Sequence, residues 1–187
     1  MSILAMLPLM ACGRKDTKPT FVGTDISGVP WGRDFQLLDV DGAPRSLVDY
    51  RGKVVMLFFG FTHCPDVCPL TLAKMGQAVR AIGEEGARVQ GIFVTLDPVR
   101  DTPAVLARYV PAFHPSFVGL SAHPAVIEAT AADFKLFFER QSPDEHGAYS
   151  VDHQGAIYVF DRHGQLRLYF SADAPIEALV HDIKVLL

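Results

Sequence analysis

Gly60-Phe-Thr-His-Cys-Pro-Asp-Val-Cys-Pro69 is the stretch that decides the fold of this chain. It overlaps the end of an unbroken apolar run, Lys53-Val-Val-Met-Leu-Phe-Phe-Gly-Phe61, which is typical of a strand covered on both faces. After it, apolar residues recur at helical spacing: Leu72, Met75, Val79 and Ile82. Two cysteines, Cys64 and Cys68, are therefore predicted where a central strand passes into a helix.

The rest of the chain alternates between strand and helix patterns. The predicted elements are a hairpin of 35–39 with 45–48, a buried strand over 88–96, helices opening at 101–103 and 121–124, a short strand within 134–139, a loop over 141–150, a hairpin of 156–160 with 166–170, and a final helix over 176–187. This order predicts an α/β fold: a central mixed sheet flanked by helices, with a hairpin at the N-terminal end.

The composition fits one compact domain. The chain has 187 residues, of which 49% are hydrophobic, enough for a sizeable core. Its net charge is −4, its pI is about 5.9, and it has no cluster of Lys and Arg beyond Arg14-Lys15. A nucleic-acid partner is therefore not expected.

The N-terminal residues have the pattern of an export signal. Residues 1–11 are apolar apart from one Ser and one Pro, and the run ends in Leu9-Met-Ala-Cys12. We predict a signal of the lipoprotein type over 1–12, lipidation of Cys12, a tether over 13–30 and a domain over 31–187. The run has no basic residues before it and is shorter than the about 20 residues that span a membrane. A start further upstream and an inert tail remain alternatives.

The cysteine pair can carry metal or redox chemistry. Two cysteines four residues apart on one helical face can meet at one metal ion or in one disulfide. A helix N-terminus lowers the pKa of a thiol, and Pro65 and Pro69 stiffen the loop. Thiolates suit Cu(I), and an added imidazole also suits Cu(II). A merely stabilising disulfide or two inert core cysteines is less favoured, because closing so short a loop gains little chain entropy.

Four stretches together resemble the Sco/SenC family of copper-binding, thioredoxin-like proteins that assist assembly of cytochrome c oxidase. They are residues 60–69, 96–103, 113–120 and 149–153. The likeness runs from about Trp31 to the C-terminus. It implies a thioredoxin-like fold of the peroxiredoxin-like variant, with a copper site formed by Cys64, Cys68 and His153.

Supporting residues are also implied around this site. His153 precedes the predicted strand 156–160, in a segment that returns to the cysteines in such a fold. Asp152 and Asp66 are expected to support the ligands without binding the metal, Asp152 through a hydrogen bond to the imidazole. An exposed loop carboxylate is the alternative for Asp152.

Other polar residues lie close to the motif in sequence. His63 adjoins Cys64 and is a candidate to tune its pKa or to serve as another ligand, although an ordinary loop histidine is the simpler interpretation. Asp97, Arg100 and Asp101 are expected to organise the loop after the second buried strand. They are placed near the cysteine face but not among the ligands.

Two main functions follow from the resemblance. The first is a metallochaperone that delivers copper, as Cu(I), Cu(II) or both, to the CuA centre of cytochrome c oxidase subunit II. It would act at the periplasmic face of the bacterial inner membrane, held there by its N-terminus and served by a copper donor or thiol reductant. The second is a thiol-disulfide reductase that keeps the cysteines of subunit II reduced, with Cys64 and Cys68 as its catalytic redox pair. A redox or copper sensor is a third. A carrier needs His153, whereas a dithiol exchanger does not.

Overall fold

A computed structural model describes residues 19–187 of the chain. Cys12, the predicted signal over 1–12 and the first part of the predicted tether lie outside the described residues. Among residues 19–187, no helix combines the length and the apolar character needed to cross a bilayer.

Strands and helices alternate along the described residues. The strands are β1 (Thr24–Asp25), β2 (Leu37–Leu38), β3 (Pro44–Arg45), β4 (Val54–Gly60), β5 (Val89–Thr95), β6 (Val118–Leu120), β7 (Phe138–Arg140), β8 (Val151–His153), β9 (Ala156–Phe160) and β10 (Leu166–Ser171). The α-helices are α1 (Val67–Ile82), α2 (Pro103–Tyr109), α3 (Pro124–Asp133) and α4 (Ile176–Leu186).

A six-stranded mixed sheet forms the centre, in the order β1-β10-β9-β4-β5-β6. β4, β5 and β6 are parallel, whereas β9 runs antiparallel to both β4 and β10. Every residue of β4 and β5 is buried, as predicted from the unbroken apolar run of β4 and from the mostly apolar pattern of β5. α1 packs on these two strands and against α4. The predicted α/β arrangement around a mixed sheet is confirmed.

The centre of the domain is rich in phenylalanine. Phe58, Phe59, Phe93, Phe134 and Phe160 are among the largest fully buried side chains. Burying one such side chain stabilises a fold by roughly 1.5–3 kcal/mol. β4 therefore leads to the cysteines from the most firmly packed part of the molecule.

Part of the predicted tether lies on the domain. Thr24 in β1 pairs with Tyr169 of β10. The buried Asp182 carboxylate of α4 accepts hydrogen bonds from the backbone N–H groups of Val22, at 3.0 Å, and Gly23, at 2.8 Å. These partners lie about 160 residues away along the chain, so local composition could not reveal them. The ordered domain thus begins before Trp31.

After α2, the helix predicted to open at 121–124 is present, and one strand boundary differs from the prediction. α3 begins at Pro124 with His123 as its N-cap, whose Nδ1 accepts from the N–H of Ala125. The predicted strand within 134–139 is mostly a turn, since Lys135 has a φ of 56° and β7 begins only at Phe138. β7 and β8 pair with each other around the predicted loop 141–150, and we call residues 138–153 the His153 hairpin.

Candidate metal centre

The two cysteines lie on either side of the start of α1. Cys64 is in the turn that leads to the helix and is partly exposed, whereas Cys68 is in the first turn and fully buried. Both are free thiols. Gly60 ends β4 directly beneath them, and a Cβ at that position would lie 2.7 Å from the Cys68 Sγ. Close approach of the strand to the sulfur therefore requires glycine.

His153 completes a group of three ligand atoms. It ends the His153 hairpin, and its Nε2 lies 3.3 Å from the Cys68 Sγ although 85 residues separate the two. The Sγ atoms of Cys64 and Cys68 and a ring nitrogen of His153 all lie within 4.8 Å of one another. Within residues 19–187 this is the group of His, Cys, Asp or Glu side chains arranged to hold a metal ion.

The imidazole of His153 presents a lone pair to the thiols. Its Nδ1 lies 3.1 Å from the backbone carbonyl oxygen of Gln154. A carbonyl oxygen only accepts hydrogen bonds, so Nδ1 carries the proton and Nε2 is the acceptor facing Cys68. Burial lowers the pKa of His153, against smaller raising effects of the Gln154 carbonyl and the Asp152 charge. The ring is therefore neutral near neutral pH, the state that binds a metal.

Two aromatic rings flank this imidazole. Their centroids lie 6.2 Å (Phe58) and 5.9 Å (Phe61) from that of His153, and the Phe61 contact is close to perpendicular. Both phenylalanines are buried, as the sequence predicts for core residues. They also form the wall of the site, a role for which the sequence offers no separate signal.

The thiol of Cys68 departs from the expectation that a helix N-terminus lowers its pKa. Burial raises the pKa of Cys68 well above its ordinary value, and the neighbouring Cys64 raises it further. The local rule is wrong here because the cost of placing a charge in the apolar interior exceeds the stabilisation from the helix end. Without metal, Cys68 therefore stays protonated at neutral pH, and metal binding must release that proton.

A buried carboxylate organises the cysteine loop. Asp101 is fully buried and accepts hydrogen bonds from the Thr62 N–H at 2.9 Å, the Thr62 hydroxyl, and the Thr95 hydroxyl at 2.6 Å. The bond to Thr95, the last residue of β5, organises the loop after that strand as the sequence predicts. The bonds to Thr62 extend the role of Asp101 to the cysteine loop, which the sequence does not predict. His63 Nδ1 lies 3.6 Å from Asp101, so this imidazole faces the carboxylate, outside the metal-ligand group.

A second buried carboxylate lies between the loop after β5 and the His153 hairpin. Asp97 is fully buried, pairs with Arg100, and accepts from Arg140 Nη2 at 3.3 Å and from the Tyr149 hydroxyl at 2.9 Å. The sequence predicts Asp97 and Arg100 as organisers of this loop. It contains no signal for their partners Arg140 and Tyr149, more than 40 residues later.

The two aspartates predicted to support the ligands have other surroundings. The Asp152 carboxylate accepts from the side-chain amide of Gln141 at 2.8 Å, and the His153 Nδ1–H donates to the Gln154 carbonyl. The predicted hydrogen bond from Asp152 to the imidazole is therefore wrong, because the strand directs that side chain away from His153. Asp66 is the N-cap residue of α1, with an exposed side chain that makes no capping hydrogen bond.

The donor set fits a soft metal ion. A first-row ion lies about 2.3 Å from a thiolate sulfur and about 2.0 Å from an imidazole nitrogen, so two sulfurs that share it are at most about 4.6 Å apart. The three atoms here are within 4.8 Å, so the group needs only a small contraction. Two thiolates with one imidazole suit copper in either common oxidation state, and the three donors leave a coordination position open.

Comparisons with known proteins agree with this site and fold. Residues 24–187 match the sequence model of the SCO1/SenC family. The mouse protein "Protein SCO2 homolog, mitochondrial" is 39% identical over 153 residues, which is 81% of this chain and 60% of that protein. The matched part thus spans less than two thirds of that relative.

Two solved structures share the fold. The structure of Bradyrhizobium japonicum ScoI with copper bound has a TM-score of 0.74 and 36% identity, covering 82% of this chain and 98% of the other. The solution structure of apo Sco1 from Thermus thermophilus has a TM-score of 0.80 and 41% identity, covering 91% and 99%. The predicted thioredoxin-like fold class is confirmed.

Proposed function

The chain belongs to the SCO1/SenC family, and on that premise we propose that it is a copper carrier that binds the metal through Cys64, Cys68 and His153. The observation that carries this proposal is the meeting of three metal-ligand atoms within 4.8 Å at the end of the central strand. The copper bound to the related ScoI supports the choice of metal.

The geometry suits a protein that must also give its metal away. Three protein ligands leave a position through which a partner's ligand can enter. Cys64 is partly exposed while Cys68 is buried, so the first thiolate can exchange while the second still holds the ion. Two thiols that lose protons on binding also make release easier as protons return.

Cytochrome c oxidase subunit II is the proposed recipient. Sco proteins are a family of cytochrome c oxidase assembly proteins, and the CuA centre of subunit II is the copper site to which we assign delivery. We place the domain at the periplasmic face of the bacterial inner membrane, tethered through Cys12 and a segment that ends near residue 21. A copper donor or a thiol reductant in the same compartment would prepare the site.

Thiol-disulfide exchange is the second candidate. The free thiols of Cys64 and Cys68 lie together at a helix start, which is the arrangement that a disulfide reductase uses. A dithiol exchanger needs no imidazole at its cysteines, whereas the His153 Nε2 lies 3.3 Å from the Cys68 Sγ. We therefore rank exchange below copper transfer.

Copper binding by two histidine variants separates these candidates. His153→Ala removes the proposed ligand, and His146→Ala is a matched control because His146 lies in the same hairpin with 81% of its side chain exposed. Chelator competition should show that only His153→Ala weakens Cu(II) binding, by more than the about 10–100-fold that loss of a supporting residue typically costs. If His153→Ala binds Cu(I) and Cu(II) each as tightly as wild type does, the three-ligand site is refuted. If that variant still supports oxidase assembly to the full extent, the reductase is favoured.

A further inference from the structure

The His153 hairpin is not part of the main sheet. Within residues 19–187, β7 and β8 pair with each other and with none of the six strands of the central sheet. A two-stranded hairpin is only marginally stable alone. The hairpin carries the proposed copper ligand His153 and continues into β9 through Gly155, whose carbonyl accepts from the Ala172 N–H at 2.9 Å. Beyond that connection, side-chain contacts must set its position.

Two polar contacts join the hairpin to a buried carboxylate of the domain. The Asp97 carboxylate, at the start of the loop after β5, takes its partners from both sides: Arg100 from its own loop, and Arg140 and Tyr149 from the hairpin. A buried carboxylate is tolerated only while its charge is paired and its lone pairs accept hydrogen bonds. Moving the hairpin away would remove two of these partners at once.

Arg100 adds a further connection to the same place. Its guanidinium carbon lies 3.5 Å from the centre of the Tyr149 ring, and its Nη1 donates to the Tyr149 carbonyl oxygen at 2.9 Å. The same guanidinium lies 5.9 Å from the centre of the Phe61 ring, the ring that flanks the His153 imidazole. The planar Arg100 guanidinium thus lies between the Tyr149 ring of the hairpin and the Phe61 ring beside His153.

We propose that Asp97, Arg100, Arg140 and Tyr149 form a clamp that fixes the His153 imidazole against Cys68, and that they are positioning residues for Cu(II). The proposal deepens the proposed function and rests on it. Cu(I) is satisfied by two thiolates, whereas Cu(II) favours imidazole nitrogen. An intact clamp therefore lets the site hold both oxidation states, and a loosened clamp leaves a site for Cu(I) alone.

Arg100→Lys tests the clamp, with Arg167→Lys as its matched control. Lysine keeps the charge but loses the planar fork and the ring contact. Arg167 pairs with the nearly buried Asp161 at 3.0 Å and lies 5.7 Å from the Phe21 ring, at the other end of β9. By chelator competition, Arg100→Lys should weaken Cu(II) binding about 10–100-fold, as expected for loss of a supporting residue. Cu(I) affinity should change by less than about threefold in either variant.

A double variant shows whether the effect passes through His153. If the clamp acts by placing the imidazole, Arg100→Lys should add nothing to the loss of Cu(II) affinity in His153→Ala. Additive losses, equal losses for both oxidation states, or an Arg167→Lys effect as large as that of Arg100→Lys would overturn the proposal.

Hydrogen exchange of the metal-free protein tests the clamp without copper. Arg100→Lys should speed amide exchange over residues 138–153 by at least about tenfold and leave β5 protected, whereas Arg167→Lys should not affect the hairpin. Unchanged amide exchange in the hairpin would refute the clamp, whatever the copper affinities of the variants are.

A second variant covers the case in which Arg100→Lys fails to fold. Tyr149→Phe removes only the hydroxyl bonded to Asp97 and should speed exchange in the same residues by a smaller factor. If His153→Ala binds copper as wild type does, the proposed function fails while the exchange result still decides the clamp.

Discussion

The cysteine loop and the His153 hairpin supply the same site by different means. The loop continues a strand whose seven residues are all buried. The buried Asp101 carboxylate anchors it by accepting hydrogen bonds from Thr62 in the loop and from Thr95 in β5. The hairpin is mostly exposed, with Val151 as its buried apolar residue, and polar contacts to Asp97 hold it in place. The Cys68 sulfur is thus part of the core and Cys64 packs against it, whereas the nitrogen ligand comes on a peripheral element. Damage to the loop should affect both copper oxidation states, and damage to the hairpin chiefly Cu(II).

The largest effect is expected for Cys68→Ser. Serine replaces a soft sulfur with a hydroxyl that binds copper poorly, so affinity for both Cu(I) and Cu(II) should fall by more than about a hundredfold. Thr71→Ser, on the next turn of α1 and equally buried, should bind both ions as wild type does. Chelator competition measures both. Retained Cu(I) binding in Cys68→Ser would show that the cysteine loop is not the part of the site that both oxidation states require.

Gly60→Ala should have the next largest effect. The new methyl group would lie 2.7 Å from the Cys68 Sγ and 2.9 Å from the Phe93 ring. Overpacking of this kind typically lowers the free energy of unfolding by about 1–3 kcal/mol, and here it should also weaken both copper states. Gly91→Ala is the control, because Gly91 lies in β5 of the same sheet and its new methyl group would lie 2.4 Å from the Phe117 ring. Denaturant unfolding should show a loss for each variant, with weakened copper binding only for Gly60→Ala.

Thr62→Val should have a moderate effect on stability. It removes the hydroxyl that donates to the buried Asp101 carboxylate, which should lower the free energy of unfolding by about 1–3 kcal/mol. Thr130→Val changes a hydroxyl that donates to the Val126 carbonyl on an exposed helix, and it should cost less than about 0.5 kcal/mol. Equal costs for the two variants would mean that Asp101 does not fasten the loop.

The smallest effect is expected for Gln154→Ser. Gln154 holds the His153 ring through its backbone carbonyl, which any residue supplies, and its side chain is exposed. Both copper affinities should stay within about twofold, since exposed substitutions are usually near neutral. Titration with either ion checks this. A large loss of Cu(II) binding would place the control of the imidazole in the Gln154 side chain.

Much of the scaffold could be predicted from the sequence because it depends on local patterns. An unbroken apolar run identified β4 as buried, a mostly apolar pattern identified β5, and helical spacing after Cys68 identified α1. The Asp41-Gly42 turn identified the β2–β3 hairpin, in which Gly42 adopts a φ of 79°. Each of these features needs only neighbouring residues to be recognised.

The missed features depend on contacts between distant residues or on burial. Hydrogen bonds join Asp182 to the backbone of residues 22–23, and Asp97 to the hydroxyl of Tyr149, across long stretches of the chain. No local pattern reports such pairs. The Cys68 thiol shows the other limit, because its helix position predicts a lowered pKa while its burial raises it. His153 was identified through the family resemblance, and its distance from Cys68 required the fold.

X-ray absorption at the copper edge of the Cu(II)-loaded protein identifies the ligands of the metal. If Cys64, Cys68 and His153 bind it, wild type should show two sulfur neighbours and the outer-shell scattering of one imidazole, with the imidazole scattering lost in His153→Ala and unchanged in His146→Ala. A wild-type spectrum with fewer than two sulfur neighbours, or an imidazole signal that persists in His153→Ala, would contradict this ligand set.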